Sequence, residues 1–391
     1  MKIAILSGDP KLYSTRRLKE VAQARGHSVR VLAPAQFAIH IEQGKPALYF
    51  KGKPVGKYDA VIPRVSIWQA NFVTAVVRQF EQMGVFCLNP SHAITVARDK
   101  LRTMQILSRH QVGIPTSASV SHQGDVEGAI ERIGRAPVIV KLLQGSQGSG
   151  VMLAESNKVA EAIVEALRSV NQGVLIQKFV SESKGTDIRA FVVGDRVVAA
   201  MRRVAQGEEF RSNVHLGADT EPVELDARYE RAAIQTAHIL GLRVAGIDLL
   251  QAREGPQVME ANSSPGLEGI EKATGVDVAS TIIEYLEDQV LFPDIDIRER
   301  LSLSRGYAVA EIPIIPKSPL IGKTLGEANL LEQEIQVLSI IRNGLPIPTP
   351  APTEQLHSGD VLLCFGKQLS LRALLPARTK KQQLKDASNS G

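Results

Sequence analysis

An apolar segment near residue 260 carries oxygen-bearing side chains at a spacing that could bind a metal ion. In "VMEANSSPGLEGIE", Glu260 and Asn262 are two residues apart, so a strand would place both on one face. The segment "VAGIDLL" at 244–250 predicts the facing strand of a hairpin, and a turn centred on 253–255 brings Asp248 opposite Glu260. Two carboxylates that close repel each other unless a cation or proton lies between them. The pattern indicates a magnesium site, because hard cations prefer oxygen ligands, or alternatively the solvated end of a hairpin.

A glycine-rich loop follows another predicted strand. In "VIVKLLQGSQGSGVML" the β-rich run ends near Lys141, and the chain then passes Gly145, Gly148 and Gly150. Such a loop exposes backbone N–H groups and allows the chain to approach phosphates closely. It is neither a P-loop nor a dinucleotide fingerprint, and a flexible hairpin tip is the alternative explanation.

Several cations occur near these two segments. Phosphoryl transfer requires cations, a phosphate-binding loop and a metal site in one region, because its catalysis consists mostly of positioning and charge neutralisation. The joint pattern therefore favours a phosphate-handling site over scattered surface charges. The residues are Lys100, Lys141, Arg189, Arg202, Arg203 and Arg211, with Asn213 two positions after Arg211.

The composition limits the class of protein. With 391 residues, 44% hydrophobic and 22% charged, the chain is typical of a globular protein of two or three domains. Aromatic residues are 4%, which argues against a nucleic-acid binder that works by stacking, and no apolar run approaches a membrane span. Much of the net charge of +5 lies in residues 376–391, which have four Lys or Arg and one Asp. Cys87 and Cys364 lie in apolar runs and are predicted to be buried free thiols in a reducing compartment, the cytoplasm.

The predicted elements change character along the chain. Residues 1–90 alternate short strands with helices, which predicts a parallel α/β domain. One helix is predicted to run through "SHAITVARDKLRTMQIL" to Gly113, and β-rich segments follow, with a hairpin turn at Gly194–Asp195. Further helices are predicted at 224–241 and 276–290, and a separate small domain at 307–375.

These motifs together resemble the ATP-grasp superfamily. The resemblance rests on "RDKLRTMQIL", "VIVKLLQGSQGSGV", "DIRAFVVGD", "FRSNVHLGA", "VAGIDLL" and "VMEANSSPGLEGIE", and it covers roughly residues 1–290. Within the superfamily the chain is similar to the RimK-type ligases, which add glutamate to the C-terminus of a ribosomal protein. The resemblance implies a fold of α/β and α+β type. A parallel α/β pre-ATP-grasp domain would occupy 1–90, and an ATP-grasp domain with antiparallel sheets would occupy 91–295.

The chain continues beyond the length typical of that family. Its segments "LIGKTLGE", "IIRNG" and "SGDVLLCFG" occur in the order found in the TrkA-C (RCK C-terminal) domain, which in its usual hosts pairs and senses small ligands. The resemblance implies a linker at 296–306, a small α/β regulatory domain at 307–375 and a disordered basic tail at 376–391. A generic small α/β appendage is the alternative.

The RimK resemblance implies a role for each matching residue. Asp248, Glu260 and Asn262 would ligate two Mg²⁺ or Mn²⁺ ions at the ATP phosphates, and Asp187 would hold the ribose. Catalytic contacts to phosphates, acyl phosphate or substrate are expected from Arg189, Arg202, Arg211 and Asn213. The ATP-binding set would comprise Lys100, Lys141, Gly145, Ser146, Gly148, Gln177, Lys178, Phe179, Asp187, Arg211, Ser212 and Asn213.

The function that the resemblance implies is an ATP-dependent carboxylate–amine ligase that forms ADP and an amide through an acyl phosphate. Its substrates would be L-glutamate and the C-terminus of a protein or peptide, such as a ribosomal protein, and the enzyme would be a homo-oligomer, either a dimer or a tetramer. One alternative is a small-metabolite, carrier-protein or poly-glutamate acceptor. Another is a nucleotide-sensing regulatory protein, against which the complete Asp248, Glu260 and Asn262 set argues.

Overall fold

The computed structural model divides the chain into two compact units, Met1–Pro293 and Asp294–Gly391. Both units mix helices with strands, as the sequence predicts. Within the described residues, no helix is long and apolar enough to cross a membrane. The predicted loop residues Gly145, Ser146 and Gly148, the pair Ser212 and Asn213, and the tail at 376–391 lie outside the described residues. The structure describes residues 1–64, 70–143, 150–207, 210–211, 217–291, 306–316 and 318–374.

The first unit begins with a parallel sheet in the order β2-β1-β6-β7. Consecutive residues of β1 pack into two different cores, with Ile3 and Ile5 on one side of the sheet and Ala4 and Leu6 on the other. This two-sided burial explains the continuous apolar run "KIAIL". A small antiparallel sheet, β3-β4-β5, follows β2. The elements are β1 (Lys2–Leu6), α1 (Tyr13–Ala24), β2 (Ser28–Leu32), β3 (Phe37–His40), β4 (Ala47–Phe50), β5 (Lys53–Pro54), β6 (Ala60–Pro63), α2 (Ala70–Gln82) and β7 (Phe86–Cys87).

The next region places two helices before an antiparallel sheet in the order β10-β9-β11-β8. The sequence predicts one helix running to Gly113, and this is wrong, because the helix breaks at Asp99. The Asp99 side chain accepts a hydrogen bond from the Arg102 backbone N–H at 2.9 Å and so starts a second helix at Lys100. The elements are α3 (Ser91–Arg98), α4 (Lys100–Arg109), β8 (Ser117–Ala118), α5 (Val126–Arg132), β9 (Val138–Leu142), β10 (Val151–Ala154), α6 (Asn157–Ser169) and β11 (Val174–Lys178).

A third antiparallel sheet, in the order β14-β13-β12-β15-β16, completes the unit. The predicted hairpin turn at Gly194–Asp195 is confirmed, since it joins β12 to β13. The helices predicted at 224–241 and 276–290 are present, and a short helix between them was not predicted. The elements are β12 (Thr186–Val193), β13 (Arg196–Val204), β14 (Asp219–Pro222), α7 (Ala227–Ile239), β15 (Val244–Ala252), β16 (Gly255–Asn262), α8 (Glu268–Thr274) and α9 (Val278–Leu291).

The second unit is a sheet in the order β17-β20-β18-β19 with short helices and a core of its own. Arg342 fixes the loop before β20, because its guanidinium donates to Asp360 at 3.0 and 2.9 Å. Cys364 is buried here, and Cys87 is buried in the first unit, both as free thiols, as the sequence predicts. The elements are β17 (Tyr307–Pro313), α10 (Leu325–Ala328), β18 (Ile335–Arg342), β19 (Leu345–Pro348), β20 (Val361–Lys367) and α11 (Gln368–Leu374).

Ion pairs join α1 to α9 at one edge of the first unit. Arg25 donates to Glu287 at 2.9 and 2.6 Å, and the His27 ring lies 2.6 Å from the same carboxylate. The hydrogen bond from Arg25 is the main cause that lowers the pKa of Glu287 from 4.5 to about 2. A carboxylate whose pKa is lower in the folded state adds stability above its unfolded pKa.

This pair predicts a pH-dependent effect of Glu287→Gln. We expect the variant to unfold at lower urea concentration than the wild type at neutral pH. The difference should shrink as the pH falls from 4.5 towards 2, because Glu287 becomes protonated in both folded and unfolded chains. Urea unfolding across that range, followed by circular dichroism, measures it. The exposed Glu155→Gln serves as the control, and a constant difference at all pH values contradicts the prediction.

Candidate active site

Charged side chains form a row across one face of the antiparallel sheet β14-β13-β12-β15-β16. Asp187 and Arg189 lie two residues apart on β12 and therefore share a face. Arg203 of β13 is the cross-strand partner of Asp187, and Asp248 of β15 is the partner of Arg189. Glu260 of β16 in turn pairs with Asp248, as the sequence predicts. Four adjacent strands therefore bring residues from 187 to 260 into one cluster.

A bulge in β16 gives the metal-candidate residues their orientation. The turn consists of Arg253 and Glu254 alone, so its centre lies half a residue earlier than predicted. Met259 is an extra residue in β16 that shifts the register by one, and Asp248 is therefore still opposite Glu260. The shift reverses the alternation along the strand. Val258 therefore joins Ala261 in the core, although simple alternation would put it on the face of Glu260.

Asp248 lies between two arginines. Its Oδ1 accepts a hydrogen bond from Arg189 Nε at 2.7 Å, and its Oδ2 accepts one from Arg189 Nη2 at 2.7 Å. Arg203 Nη2 approaches the same Oδ2 at 2.9 Å. The Asp248 carboxylate is 2% exposed. Burial acts to raise the pKa of Asp248, but the charges of Arg189 and Arg203 outweigh it and lower that pKa, so the group is a carboxylate at neutral pH.

Arg203 links this carboxylate to a second one. Its Nε and Nη2 donate to the two oxygens of Asp187 at 2.6 and 2.7 Å, and both side chains are buried. Burial lowers the pKa of Arg203, while Asp248 and Asp187 raise it by more, so the guanidinium stays charged. The predicted ribose contact of Asp187 remains a prediction, and the structure adds that Arg203 occupies both of its oxygens.

A second bulge explains why Arg203, rather than the predicted Arg202, belongs to the cluster. Counting back from the turn at Gly194–Asp195 places Arg202 opposite Asp187, but the register shifts between Phe191 and Val192. Arg202 therefore lies on the other face of β13, where it donates to Glu221 at 2.8 Å. The structure does not bring Arg202 to the cluster. The sequence signal for Arg203 was a second cation on the same strand, and only the register distinguishes the two.

Asp248, Glu260 and Asn262 fit a magnesium site of a particular kind. Glu260 and Asn262 share the face of Asp248, and all three donors are oxygens, which Mg²⁺ prefers. The described residues contain no group of three His, Cys, Asp or Glu side chains that could hold a metal ion by themselves. Asp248 accepts one N–H at Oδ1, which leaves that oxygen a free lone pair. The set therefore suits an ion whose remaining ligands come from a bound phosphate.

A small cavity beside Glu260 contains two of the predicted ATP-binding cations. Lys100 at the start of α4 and Lys141 on β9 line it together with Gln177 of β11 and Glu260. Lys141 is 8% exposed, and burial lowers its pKa to about 8 although the charge of Glu260 opposes the change. A buried cation in this position gains stability from a phosphate anion. The cavity lies between two sheets, because β9 and β11 line one side of it and β16 lines another.

Of the remaining described candidates, Gln177 lines this cavity, whereas Lys178, Phe179 and Arg211 are not among its lining residues. Gln177 is buried, and its Nε2 donates to Ser117 Oγ at 2.8 Å, while Lys178 is exposed and Phe179 half-buried. The Arg211 guanidinium lies 5.7 Å from the Phe210 ring centroid. The structure thus brings together Lys100, Lys141, Gln177, Arg189, Asp248 and Glu260.

The segment "SSPGLEGIE" after β16 attaches the cluster to the parallel sheet. Ser264 Oγ donates to the Pro63 carbonyl at 3.3 Å, and Arg64 Nη1 donates to the Pro265 carbonyl at 2.7 Å. Further along, the Leu267 N–H donates to Ser14 Oγ at 2.9 Å. These bonds fix the end of the metal-candidate strand against the carboxyl end of β6.

Asn89 makes a second attachment that the sequence did not reveal. Its Nδ2 donates to the carbonyls of Val244 and Ser263, each at 2.7 Å, and its Oδ1 accepts from the N–H of Arg243 and of Val244 at 2.9 and 3.1 Å. The side chain is 3% exposed. One buried amide therefore makes hydrogen bonds to the backbone at the start of β15 and just after the end of β16. The signal available in the sequence was the polar residue in "CLNPS".

Comparison with known proteins shows the family of this chain. The chain matches the family models described as RimK PreATP-grasp domain over residues 1–94, RimK-like ATP-grasp domain over 97–286 and TrkA-C domain over 309–376. A Rhodopirellula baltica protein named "Probable alpha-L-glutamate ligase" is 55% identical over 383 residues, which are 98% of this chain and 95% of the relative. The chain belongs to the RimK-like ATP-grasp family. It is an ATP-grasp ligase, and the predicted family and fold class are confirmed.

Two further similarities define the extent of the match. A Picosynechococcus protein, also named "Probable alpha-L-glutamate ligase", is 51% identical over 287 residues, which are 73% of this chain and 95% of that relative. The solved structure of the ATP-grasp ligase PsnB with a precursor variant, Mg and ADP has a TM-score of 0.58 and 20% identity, covering 74% of this chain and 98% of that chain. The second similarity shows the shared fold.

We expect substitutions of Arg203 and Arg202, the two neighbouring arginines of β13, to change the free energy of unfolding by different amounts. Arg203→Gln leaves Asp187 buried without a guanidinium partner, and we expect the free energy of unfolding to fall by about 3–5 kcal/mol. Arg202→Gln is the matched control, because it breaks only an exposed pair with Glu221, worth at most about 1 kcal/mol. Urea denaturation of both variants measures the difference. Equal effects would mean that Arg203 does not hold the cluster.

Proposed function

We propose that this ligase uses ATP to join L-glutamate to the carboxyl end of a protein or peptide acceptor, such as a ribosomal protein. The observation that carries the proposal is the cluster of Asp248, Glu260 and Asn262 beside the Lys100 and Lys141 cavity. The name of the Rhodopirellula baltica relative supports glutamate as the amino acid. PsnB, whose structures include a complex with a precursor peptide, supports a peptide acceptor, and the Mg and ADP in another of its complexes support those ligands here.

Each residue of the candidate site has a separate role in the proposed reaction. Lys100 and Lys141 bind the ATP phosphates, while Asp248, Glu260 and Asn262 would hold two Mg²⁺ or Mn²⁺ ions, which supply charge neutralisation at those phosphates when bound. Arg189 keeps Asp248 in place and presents a cation to the reacting carboxylate. An acceptor carboxylate oxygen attacks the γ-phosphorus and ADP leaves. The glutamate amine then attacks the acyl carbon, phosphate leaves, and the amine loses a proton as the amide forms.

The direct test measures ADP release with ATP, Mg²⁺, candidate acceptor peptides and each amino acid in turn, followed by intact-mass analysis. We expect turnover that depends on L-glutamate and products heavier by whole glutamyl residues. Turnover with a different amino acid would contradict the glutamate assignment. Glutamyl transfer to a small metabolite, but to no peptide, would contradict the acceptor assignment.

Glu260→Gln tests the metal-candidate cluster. Removing this charge should lower kcat on the order of 10²-fold, because phosphoryl transfer depends on electrostatic stabilisation of developing charge. Chelation of divalent cations should abolish turnover of the wild type. Glu221→Gln is the control, since that carboxylate is exposed on the opposite face of the sheet and should leave kcat unchanged. Wild-type kcat in the Glu260→Gln variant would exclude this residue from the site.

We infer that the C-terminal unit at 307–375 regulates or oligomerises the enzyme. The unit has its own core and matches the TrkA-C family model, while the RimK-like model ends at residue 286. It also exposes large apolar side chains, including Leu345 at 71% and Leu369 at 79%.

Truncation after Leu291 tests this role. We expect the shortened chain to keep ligase turnover, since its core and cluster are complete within the first unit, but to change in oligomeric state or in its kinetic constants. Light scattering coupled to gel filtration, with parallel kinetics, measures both. A truncated enzyme that is unchanged in both respects would rule out the proposed role.

A further inference from the structure

The carboxyl ends of β1 and β6 lie at the point where the order of strands in the parallel sheet reverses. β1 pairs in parallel with β2 on one side and with β6 on the other. In open α/β sheets, ligands bind outside the carboxyl ends of the strands at such a switch point. Arg64 is the first residue after β6, and its backbone N–H donates to the Leu6 carbonyl at 2.9 Å. Its position in the chain therefore places a cation at this switch point.

Arg64 differs from the arginines of the charged cluster in its partners. Its Nη1 donates to the Pro265 carbonyl at 2.7 Å, whereas Arg189 and Arg203 each contact carboxylates. Within the described part of the chain, no carboxylate forms an ion pair with Arg64. A guanidinium has five N–H donors, so donors remain for a second group. The side chain is half-buried, and burial lowers the pKa of Arg64 to about 10, since no anion compensates it. An anion bound here would be stabilised.

Pro265 lies between Arg64 and the charged cluster. A Cβ atom added to Gly246 would lie 2.9 Å from Pro265 Cβ and 3.7 Å from Arg189 Nε, so both side chains lie over this glycine. Gly246 is also the cross-strand partner of Asn262. Arg64 therefore lies near the end of β16, where Asn262 follows Glu260 of the charged cluster. A small substrate between the two would contact both.

We propose that Arg64 binds a carboxylate of the incoming amino acid, one that stays intact during the reaction. This inference rests on the proposed function, in which L-glutamate reacts through its amine and keeps both of its carboxylates. The planar guanidinium matches a carboxylate with two parallel N–H donors. The Pro265 carbonyl orients the guanidinium by occupying one Nη1 donor. Arg64 is thus a specificity-determining residue for an acidic amino acid.

The test compares L-glutamate with its two mono-amides, glutamine and isoglutamine, in the full-length enzyme. Arg64→Gln should raise the KM for L-glutamate on the order of 10- to 100-fold, the usual effect of losing a charge-assisted hydrogen bond. The KM for ATP should stay unchanged. The wild type should reject both amides, and the variant should lose its discrimination against the amide that replaces the carboxylate bound by Arg64.

Two further variants separate binding from a structural role. Arg64→Lys keeps the charge without the fork, and its KM for glutamate should lie between those of the wild type and Arg64→Gln. Ser264→Ala removes another bond between the same loop and β6, and amide discrimination should persist in it. If Arg64→Gln lowers kcat or stability but keeps the glutamate KM and the discrimination, Arg64 only anchors the loop and the proposal fails.

The remaining outcomes are also decisive. A rise in the KM for the acceptor peptide, instead of glutamate, would assign Arg64 to the acceptor and overturn the inference. A wild-type enzyme that turns over without regard to glutamate would refute the proposed function itself. Because that result comes from the wild type alone, the two failures are distinguishable.

Discussion

The buried contact of Asp248 with Arg189 and Arg203 is the interaction on which the arrangement of this ligase depends. A carboxylate that is 2% exposed requires compensation, and the two guanidinium groups provide it from adjacent strands. Because Arg203 also binds Asp187, the contact holds three strands in a single register. Glu260 completes the row from a fourth strand. The charged residues of the candidate site are therefore also the residues that align the sheet.

The parallel sheet and the ATP-grasp sheets are joined at the same place. Asn89, Ser264 and Arg64 all make hydrogen bonds that cross from the first domain to the hairpin of β15 and β16 or the loop after it. These bonds fix the position of Arg64 and the parallel sheet relative to the strand that carries Glu260, which lines the cavity with Lys100 and Lys141. A ligase that joins two substrates needs such a fixed arrangement, because orientation of the reactants contributes much of its rate.

The C-terminal unit is stabilised by contacts of its own. Its sheet, its core and its Arg342–Asp360 contact are all internal, and the charged cluster draws no described residue from it.

The sequence by itself determined the parts of the site that depend on local spacing. Glu260 and Asn262 share a face because strands alternate, and the motifs "VIVKLLQGSQGSGV" and "EANSSPGLEGIE" carried the family resemblance that the comparisons confirmed. The tertiary structure decided which distant residues meet. A bulge between β12 and β13 shifts the register by one residue and places Arg203 rather than Arg202 beside Asp187. A second bulge, in β16, directs the side chain of Val258 into the core. Such shifts follow from packing across neighbouring strands, and period-2 counting cannot reveal them. The contact of Arg64 with Pro265, 201 residues apart, depends likewise on how the sheets dock.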